Sequence, residues 1–266
     1  MYWQKRFNRQ DVDKELKELL LEIRLKHKDF GYRRIIPELR KLGYVANKKR
    51  VQRVMRELSL QVTSFGRKSR KYNSYKGNCG KTAPNRLNRN FKTTIPHQKI
   101  VTDTTEFKYY ITDSKGHTVI KKLYLDPFMD LYNSEIISYR ISDRPSAKNI
   151  MDALNDALKI TEDCPYRRTF HSDQGWGYQM YSYVHVLKSN YVYQSMSRKG
   201  NCHDNAVMEN FLGIMKQEMY YGETYYSFGE LETAIDNYIT YYNTGRIKEK
   251  LGWMSPVEYR LMKQAV

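Results

Sequence analysis

The chain has 266 residues, with 46 Lys and Arg against 29 Asp and Glu, a formal charge of +17 and 40% hydrophobic residues. This apolar content can build a packed core, so wholesale disorder is not expected, and no run approaches the ~18 apolar residues of a membrane-spanning helix. Three cysteines without a Cys-x-x-Cys pair exclude a disulfide framework and give no start to a zinc site. Since no signal-peptide pattern is present either, we expect a soluble cytoplasmic protein.

The positive charge lies in the N-terminal two-fifths of the chain. Residues 1–102 hold 27 Lys and Arg against 8 Asp and Glu, whereas residues 103–266 hold 19 against 21. Between Leu58 and Thr102 there is no acidic residue. Such a segment cannot neutralise itself, so we expect it to bind a polyanion through salt-sensitive phosphate contacts. A solubilising tail, or binding to acidic membranes or RNA, is the alternative for a basic stretch.

Three short helices are predicted in the first 60 residues. Apolar residues recur on one helical face between Asp11 and His27, and a second helix fits Arg34–Leu42, with Pro37 tolerated only in its first turn. A third begins after Asn47, a good N-cap, and carries basic residues away from its apolar face. This pattern favours a helix-turn-helix whose last helix enters the major groove, although any small helical bundle shows the same periodicity. The expected DNA contacts on this helix are Lys48, Lys49, Arg50 and Arg53.

Residues 63–97 are predicted to form a basic linker. They are rich in Ser, Asn, Gly, Lys and Arg and show no sustained period. Their aromatic residues could stack on bases while the cations hold phosphates, or could equally be local packing residues. The expected DNA contacts here are Arg67, Lys68, Arg70 and Lys71.

From Lys99 onward the pattern changes to strands and helices. A β-branched and aromatic strand is predicted at Ile100–Tyr110, with further strands near 118–126, 134–141, 168–172 and 191–196. Helices are predicted at 146–160, 180–188, 204–221, 228–242 and 255–264. Three successive strands followed by alternating helix and strand predict an α/β, ribonuclease H-like fold, a mixed sheet with helices on both faces. The last helix opens at Ser255-Pro-Val-Glu258, a capping box with Pro at the first helical position.

These elements divide the chain into four predicted regions. They are a helix-turn-helix domain at 1–62, the linker at 63–97, a ribonuclease H-like catalytic core at 98–222 and a helical C-terminal extension at 223–266.

Three carboxylates of the predicted core are candidates for one site. Asp103 lies in an apolar and Thr-rich strand, where an unpaired charge is costly to bury. Asp173 follows a strand in a glycine-containing turn, at the kind of strand end where open α/β sheets hold active sites. Glu209 lies on the helix after the last strand, and Lys216 follows two turns later on the same face.

Such a set suits two divalent metal ions that support an in-line phosphoryl displacement. Taken singly, each acid has a structural explanation, as a strand-end group, a turn former or a solvated helix residue. The combination with the fold order and the basic N-terminal half favours the metal site.

Several motifs carry a family resemblance. They are Thr102-Asp-Thr-Thr-Glu-Phe107, His171-Ser-Asp-Gln-Gly-Trp176, Gln194-Ser-Met-Ser-Arg-Lys-Gly-Asn-Cys202, Asp204-Asn-Ala206 and Glu209-Asn-Phe211. Residues 98–260 resemble the integrase core of bacterial insertion-sequence transposases of the DDE type, in the insertion-sequence-three group, whose enzyme is the second-frame product. The 35 residues between Asp173 and Glu209 match the spacing in this family. The segment around Gly31-Tyr-Arg-Arg-Ile35 also resembles the helix-turn-helix that precedes this core.

The resemblance implies site residues and a cofactor. It implies that Asp103, Asp173 and Glu209 ligate two Mg²⁺ or Mn²⁺ ions and carry out phosphoryl transfer. It places Lys216 at the basic position of the catalytic helix. It also implies contacts to the DNA end from the signature residues Ser197, Arg198, Lys199, Asn201 and Asn205, although for Asn201 a tight turn is an equal explanation.

The resemblance also implies an activity and partners. The expected activity is a DNA transposase that cleaves one strand at an element end and joins the freed 3′-OH to a new phosphodiester. Two or more protomers would act on double-stranded DNA at the nucleoid, with no membrane partner, and the upstream-frame product of the element is a possible partner. His171 and His203 are expected to form hydrogen bonds or pack, not to ligate metal.

Two other functions stay open at this point. A metal-dependent nuclease of the same fold would share the three acids but would show no strand joining. A truncated, non-catalytic regulator of transposition would bind element ends without depending on Asp103, Asp173 or Glu209.

Overall fold

The computed structural model describes residues 11–63 and 82–264. The described residues form two compact units, one of residues 11–63 with Ile247–Trp253 and the other of residues 82–246 with 254–264. The expected DNA contacts Arg67, Lys68, Arg70 and Lys71 lie outside the described residues. Over these two ranges, no helix has the length and apolar character needed to cross a bilayer.

The N-terminal unit contains the three predicted helices, α1 (Lys14–Lys26), α2 (Tyr32–Lys41) and α3 (Lys48–Glu57). Their buried faces meet through residues spaced three or four apart. These are Leu16, Leu20 and Ile23 of α1, Ile35 and Leu39 of α2, and Val51, Val54 and Met55 of α3. The predicted N-cap is confirmed, because the Asn47 side chain accepts a hydrogen bond from the Arg50 N–H at 2.8 Å.

The second helix begins two residues earlier than predicted. Its first bonds run from the N–H groups of Arg34 and Ile35 to the Gly31 carbonyl. Pro37 therefore lies in the second turn, where a proline removes one backbone hydrogen bond, and not in the first turn as expected. Pro37 is buried, so its packing within the unit offsets that loss.

The second unit is built on the mixed sheet that the sequence predicted. Its strands are β1 (Lys99–Thr102), β2 (Thr105–Thr112), β3 (Thr118–Asp130), β4 (Ile136–Ser142), β5 (Thr169–Ser172) and β6 (Tyr193–Met196). The long β3 pairs antiparallel with β1, β2 and β4, whereas β1, β5 and β6 run parallel to one another. Its helices are α4 (Ala147–Ile160), α5 (Trp176–Gln179), α6 (Tyr181–Ser189), α7 (Ala206–Met215), α8 (Phe228–Thr244) and α9 (Pro256–Gln264).

Helices cover both faces of this sheet, as predicted. Neighbouring residues of β1 point to opposite faces. Ile100 packs in the cluster that α4 and α6 supply, while Val101 packs in the cluster of α7 and α8. The sheet is therefore buried between two apolar layers.

The single strand predicted at Ile100–Tyr110 is two strands in the structure. Both pair with β3, but the ladder stops at Asp103 and Thr104. This break lies opposite Asp126 and Pro127, and proline has no N–H with which to continue a ladder. The Asp126 carboxylate instead accepts a hydrogen bond from the Thr104 hydroxyl at 2.6 Å. The break frees the backbone around Asp103 from the sheet.

Two boundaries of the core also differ from their predicted positions. Residues 82–97, predicted as linker, belong to the core unit, because Leu87 is 3% exposed in the core and the N–H groups of Arg86 and Leu87 donate to Ser195 Oγ. The C-terminal helix α8 shares an apolar cluster with α7, so it completes the core instead of extending from it.

The helix predicted at 204–221 has three parts. A 3₁₀ turn at Cys202–Asn205 precedes α7, and a π-helical turn at Lys216–Tyr220 follows it. Glu218 in the π-helical turn is buried with the guanidinium of Arg246. The capping box of α9 is confirmed by reciprocal bonds between Ser255 and Glu258.

Candidate active site

Asp103 and Asp173 lie side by side because they follow two neighbouring parallel strands. Val101 of β1 lies opposite His171 of β5. Continuing this register by two residues brings Asp103 opposite Asp173, and paired strands lie ~4.8 Å apart. Both acids are half-buried at the carboxyl ends of their strands, where open α/β sheets hold their active sites.

A glycine shapes the turn that carries Asp173. The N–H of Gly175 donates to Asp173 Oδ1 at 2.8 Å, which fixes the carboxylate over the turn. A Cβ atom at position 175 would lie 2.9 Å from that oxygen and 3.4 Å from the Tyr178 ring. The motif Asp-Gln-Gly therefore requires glycine, because any other side chain would displace the carboxylate.

Glu209 lies in the first turn of α7, and the start of this helix is fixed next to β1. The side-chain amide of Asn205 donates to the carbonyl oxygen of Thr102 at 3.1 Å. This bond joins the residue before α7 to the residue before Asp103. The third acid is thereby held near the ends of β1 and β5.

The charges of the three acids act on one another. Burial raises the pKa of Asp103 well above its ordinary value, and the charges of Asp173 and Glu209 raise it further, while Lys216 lowers it. Burial also raises the pKa of Asp173, against the opposing hydrogen bond from Gly175. Partial removal from water raises the pKa of Glu209, and the charge of Asp173 raises it further. An Asp103 carboxylate whose ionised form is disfavoured by burial and by two neighbouring acids is complementary to a cation.

The oxygen donors present fit a hard divalent cation such as Mg²⁺ or Mn²⁺. In residues 11–63 and 82–264, however, no three side chains among His, Cys, Asp and Glu already stand together as a metal-ligand group. One oxygen of Asp173 is engaged by the turn and Glu209 is exposed. Lys216, whose ammonium lies 5.0 Å from the centre of the Phe107 ring, supplies positive charge beside the acids.

A buried hydroxyl network supports the break that carries Asp103. The Tyr178 hydroxyl lies 3.4 Å from Thr102 Oγ1 and 3.2 Å from Thr104 Oγ1, on either side of Asp103. Asp126 below it is 2% exposed, and burial raises its pKa to about 6. No role was predicted for Tyr178 from sequence, although it lies in α5, directly after the Asp173 motif.

Asp204 is the centre of a second polar cluster. Its side chain is inaccessible to solvent, and its carboxylate accepts hydrogen bonds from Arg198, Arg89 and Asn85 at 2.9 to 3.0 Å. Three parts of the chain therefore meet at one charge: the 82–97 segment, the 197–201 loop and the start of α7. Arg89 also donates to Asn201 Oδ1 at 3.0 Å.

Four of the expected DNA contacts form hydrogen bonds within the core unit. Ser197 and Asn205 are 6% and 2% exposed, and they bond to His171 and to the Thr102 carbonyl, so their side chains hold the framework. Arg198 and Asn201 bond within the Asp204 cluster, although the Arg198 side chain is 55% exposed. Lys199 remains exposed on the loop.

Helix α3 shows a similar division between paired and exposed basic residues. Asp13 binds two of the expected contacts, since its oxygens lie 2.7 Å from Arg50 Nε and 2.6 Å from an Arg53 guanidinium nitrogen. Lys48 and Lys49 are exposed in the first turn of α3. Among the four residues expected to contact DNA from α3, these lysines are the exposed cations that do not pair with Asp13, whereas Arg53 is 52% exposed but pairs with that carboxylate.

The remaining candidate residues occupy distinct places. His171 is fully buried between Ser195 and Ser197, at 2.8 and 3.1 Å, and burial lowers its pKa to about 4, which agrees with the expected hydrogen-bonding role. His203 is exposed near Glu209, whose pKa its charge lowers. Trp176 is 47% exposed at the start of α5.

Family comparisons agree with this architecture. Residues 11–68 match a family described as an HTH-like domain. Residues 93–202 and 209–263 match two families described as an integrase core domain. Fold and sequence together define an enzyme of the polynucleotidyl transferase class with an integrase core and a DNA-binding N-terminal unit. Cores of this class generally work with divalent metal ions.

The chain also matches individual transposases over most of its length. It is 44% identical over 251 residues to InsK of insertion sequence element IS150 from Escherichia coli, covering 94% of this chain and 83% of that protein. It is 32% identical over 258 residues to the transposase for insertion sequence element IS904 from Lactococcus lactis, covering 96% and 97%. The chain belongs to the transposases of bacterial insertion sequences, and it is a DNA transposase. Among solved structures, the HTLV-2 integrase catalytic core domain in complex with magnesium covers 63% of this chain and 99% of that one, at 14% identity and a TM-score of 0.47.

Proposed function

We propose that Asp103, Asp173 and Glu209 are the catalytic triad of this transposase and hold two Mg²⁺ or Mn²⁺ ions. The observation that carries the proposal is the placement of the three acids at the ends of β1 and β5 and the start of α7, where the charges of Asp173 and Glu209 raise the pKa of Asp103. Bound there, the ions would activate the attacking oxygen and stabilise the leaving one in an in-line displacement at phosphorus. Because no three His, Cys, Asp or Glu side chains among the described residues already stand together as a ligand group, metal binding requires the carboxylates to move closer to one another.

Other side chains of this protein support this chemistry by holding the elements that carry the three acids. The Asn205 amide holds the start of α7 to β1, and the Tyr178 hydroxyl supports both threonines beside Asp103. Lys216 brings a positive charge to the same region, where it would hold a phosphate of the DNA end.

The proposed reaction has two steps at the same site. Water first attacks a phosphodiester at the element end, the bond from phosphorus to the 3′-oxygen breaks, and a 3′-OH is released. That 3′-OH then replaces water as the nucleophile on a second phosphodiester. Its oxygen forms a new bond to that phosphorus, the bond from the phosphorus to its own 3′-oxygen breaks, and the displaced strand leaves with a 3′-OH as the element end is joined to new DNA. No covalent bond between protein and DNA forms in either step.

DNA positioning is proposed to come from the N-terminal unit and the loop before α7. Lys48 and Lys49 would contact duplex phosphates or bases of the terminal repeat, and Lys199 would contact the DNA end. Bringing two ends together requires at least two protomers on DNA, with the upstream-frame product of the same element as a further partner.

The experiment separates binding from cleavage. Purified protein is incubated with a labelled duplex that carries the terminal repeat of its element, with Mg²⁺ or Mn²⁺. Asp173→Asn should abolish strand cleavage and leave duplex binding within about twofold of wild type. Asp143→Asn, an exposed aspartate on the same unit, is the matched control and should cleave normally.

Other outcomes correspond to the other functions. Cleavage without joined products would indicate a nuclease. Binding without metal-dependent cleavage, even after the upstream-frame product is added, would indicate a regulator and overturn the proposal.

A further inference from the structure

A groove on the second unit lies outside the carboxylate site. It has a volume of about 800 Å³ and runs between α6, β6 and the segment at 82–86. Its basic and aromatic lining residues include Arg86, Arg167, Tyr181, His185, Lys188 and Tyr193. None of them takes part in the proposed reaction.

The groove brings together two stretches of sequence that contain no acid. One runs from Leu58 to Thr102 and supplies the 82–86 wall, and the other runs from Gln174 to His203 and supplies α6 and β6. Among the described residues that line the groove, none is acidic, while three are Arg or Lys. The groove is therefore locally positive, although the sequence of this unit contains many acidic residues elsewhere. A positively charged groove is complementary to a polyanion.

Aromatic rings and cations together line the groove. The guanidinium groups of Arg86 and Arg167 lie 4.3 and 3.6 Å from the centre of the Tyr193 ring. Next to them, the Tyr181 ring is 83% exposed and lies nearly parallel to His185, at 15° with centres 5.7 Å apart. A large apolar ring left open to solvent beside cations is the pattern of a surface on which bases stack while phosphates are neutralised.

The size of the groove favours an unpaired strand. A volume of about 800 Å³ lies within the ~300–1,000 Å³ range of pockets that enclose a small ligand, which one or two nucleotides match. A duplex hides the faces of its bases in the stack, so it cannot use the Tyr181 ring. Given that DNA is the substrate of this transposase, we propose that the groove binds a single-stranded segment of that DNA, with Tyr181 as the stacking platform and Arg86 and Lys188 as phosphate contacts.

The test measures binding of the full chain to a fluorescent single-stranded oligothymidylate and to a duplex of the same length, without metal ions. Tyr181→Ala and Lys188→Glu should each weaken single-strand affinity about tenfold, and leave duplex affinity within about twofold. The matched controls are Tyr226→Ala, which removes a tyrosine that is 69% exposed elsewhere on the unit, and Lys115→Glu, which makes the same charge change on an exposed hairpin. Both controls should bind like wild type.

A direct readout locates the contact. An oligonucleotide with 5-iodouracil should crosslink under ultraviolet light to a peptide that contains Tyr181, and the crosslink should disappear in Tyr181→Ala. Equal losses in the groove variants and their controls, unchanged single-strand affinity, or a loss confined to duplex would overturn the proposal. Since these assays need no catalysis, their failure is separate from a failure of the triad assignment, which Asp173→Asn tests.

Discussion

Replacing Asp204 by asparagine removes the charge from a carboxylate that three parts of the core unit share. The side chain is inaccessible to solvent, and it accepts bonds from Arg198, Arg89 and Asn85. Asparagine keeps the shape but offers one acceptor oxygen, and its amide group turns a donor toward other donors. The change therefore breaks bonds without opening a cavity.

The size of the stability loss follows from the hydrogen-bond partners of Asp204. A charge-assisted hydrogen bond contributes ~1.5–3 kcal/mol net when buried. The side chains of Arg198 and Arg89 are 55% and 46% exposed, so water solvates their charges after the change and reduces the loss. We expect Asp204→Asn to lower the free energy of unfolding by about 2–4 kcal/mol, and the melting temperature by about 5–15 °C.

The stabilisation that Asp204 provides depends on pH with a defined sign. Arg198 foremost, followed by Arg89, holds the pKa of Asp204 well below its ordinary value of 3.8. The stabilisation is therefore complete above pH 3.8 and is lost as the pH falls toward the lower pKa of the folded state. The difference between wild type and variant should shrink below that pH.

The assay is urea unfolding followed by circular dichroism. The matched control is Asp156→Asn, because Asp156 pairs with Arg140 while both side chains are about 40% exposed, and its loss should cost less than ~1 kcal/mol. Equal destabilisation by the two variants, or a difference that grows as the pH falls, would refute this reasoning.

Three further predictions concern other parts of the chain. Tyr178→Phe keeps the buried ring but removes the hydroxyl beside Asp103, so single-turnover cleavage should fall at least about tenfold with duplex affinity unchanged, and an unaltered rate would contradict the positioning role. Lys48→Ala and Lys49→Ala should each reduce the salt slope of duplex affinity by ~1, whereas Arg50→Ala should leave it unchanged, as titrations at several salt concentrations can show. Glu218→Ala leaves a buried guanidinium without its carboxylate and should cost ~3–5 kcal/mol in chemical denaturation, so a loss below ~1 kcal/mol would exclude a structural role for the pair.

Much of the fold was predictable because its signals are local. The apolar period of α1 to α3, the N-cap at Asn47 and the capping box at Ser255 depend on residues within one or two turns. The order of strands and helices in the core follows from the same local patterns. The break after Thr102 was not predictable, because it depends on Pro127 in another strand.

Sequence patterns could not predict the polar clusters either. Arg89 and Asp204 are 115 residues apart, and no periodicity marks either of them. For the same reason the 82–97 segment resembled a linker, since it packs through Leu87 and scattered polar bonds. The acids at 103, 173 and 209 were predictable as candidates from strand ends and motif spacing. The inward orientation of Ser197 and Asn205 depends on long-range hydrogen bonds and emerged only from the structure.

The most direct test of the account is strand transfer by a Glu209→Gln variant, which keeps the size of the side chain and removes its charge. Wild-type protein, given Mg²⁺ or Mn²⁺ and a labelled terminal-repeat duplex, should produce strand-specific nicks followed by joined products. Glu209→Gln should produce neither while binding the duplex normally, and Glu162→Gln, which changes an exposed glutamate on the same unit, should behave like wild type. Joined products formed by Glu209→Gln at the wild-type rate would contradict the assignment of the active site.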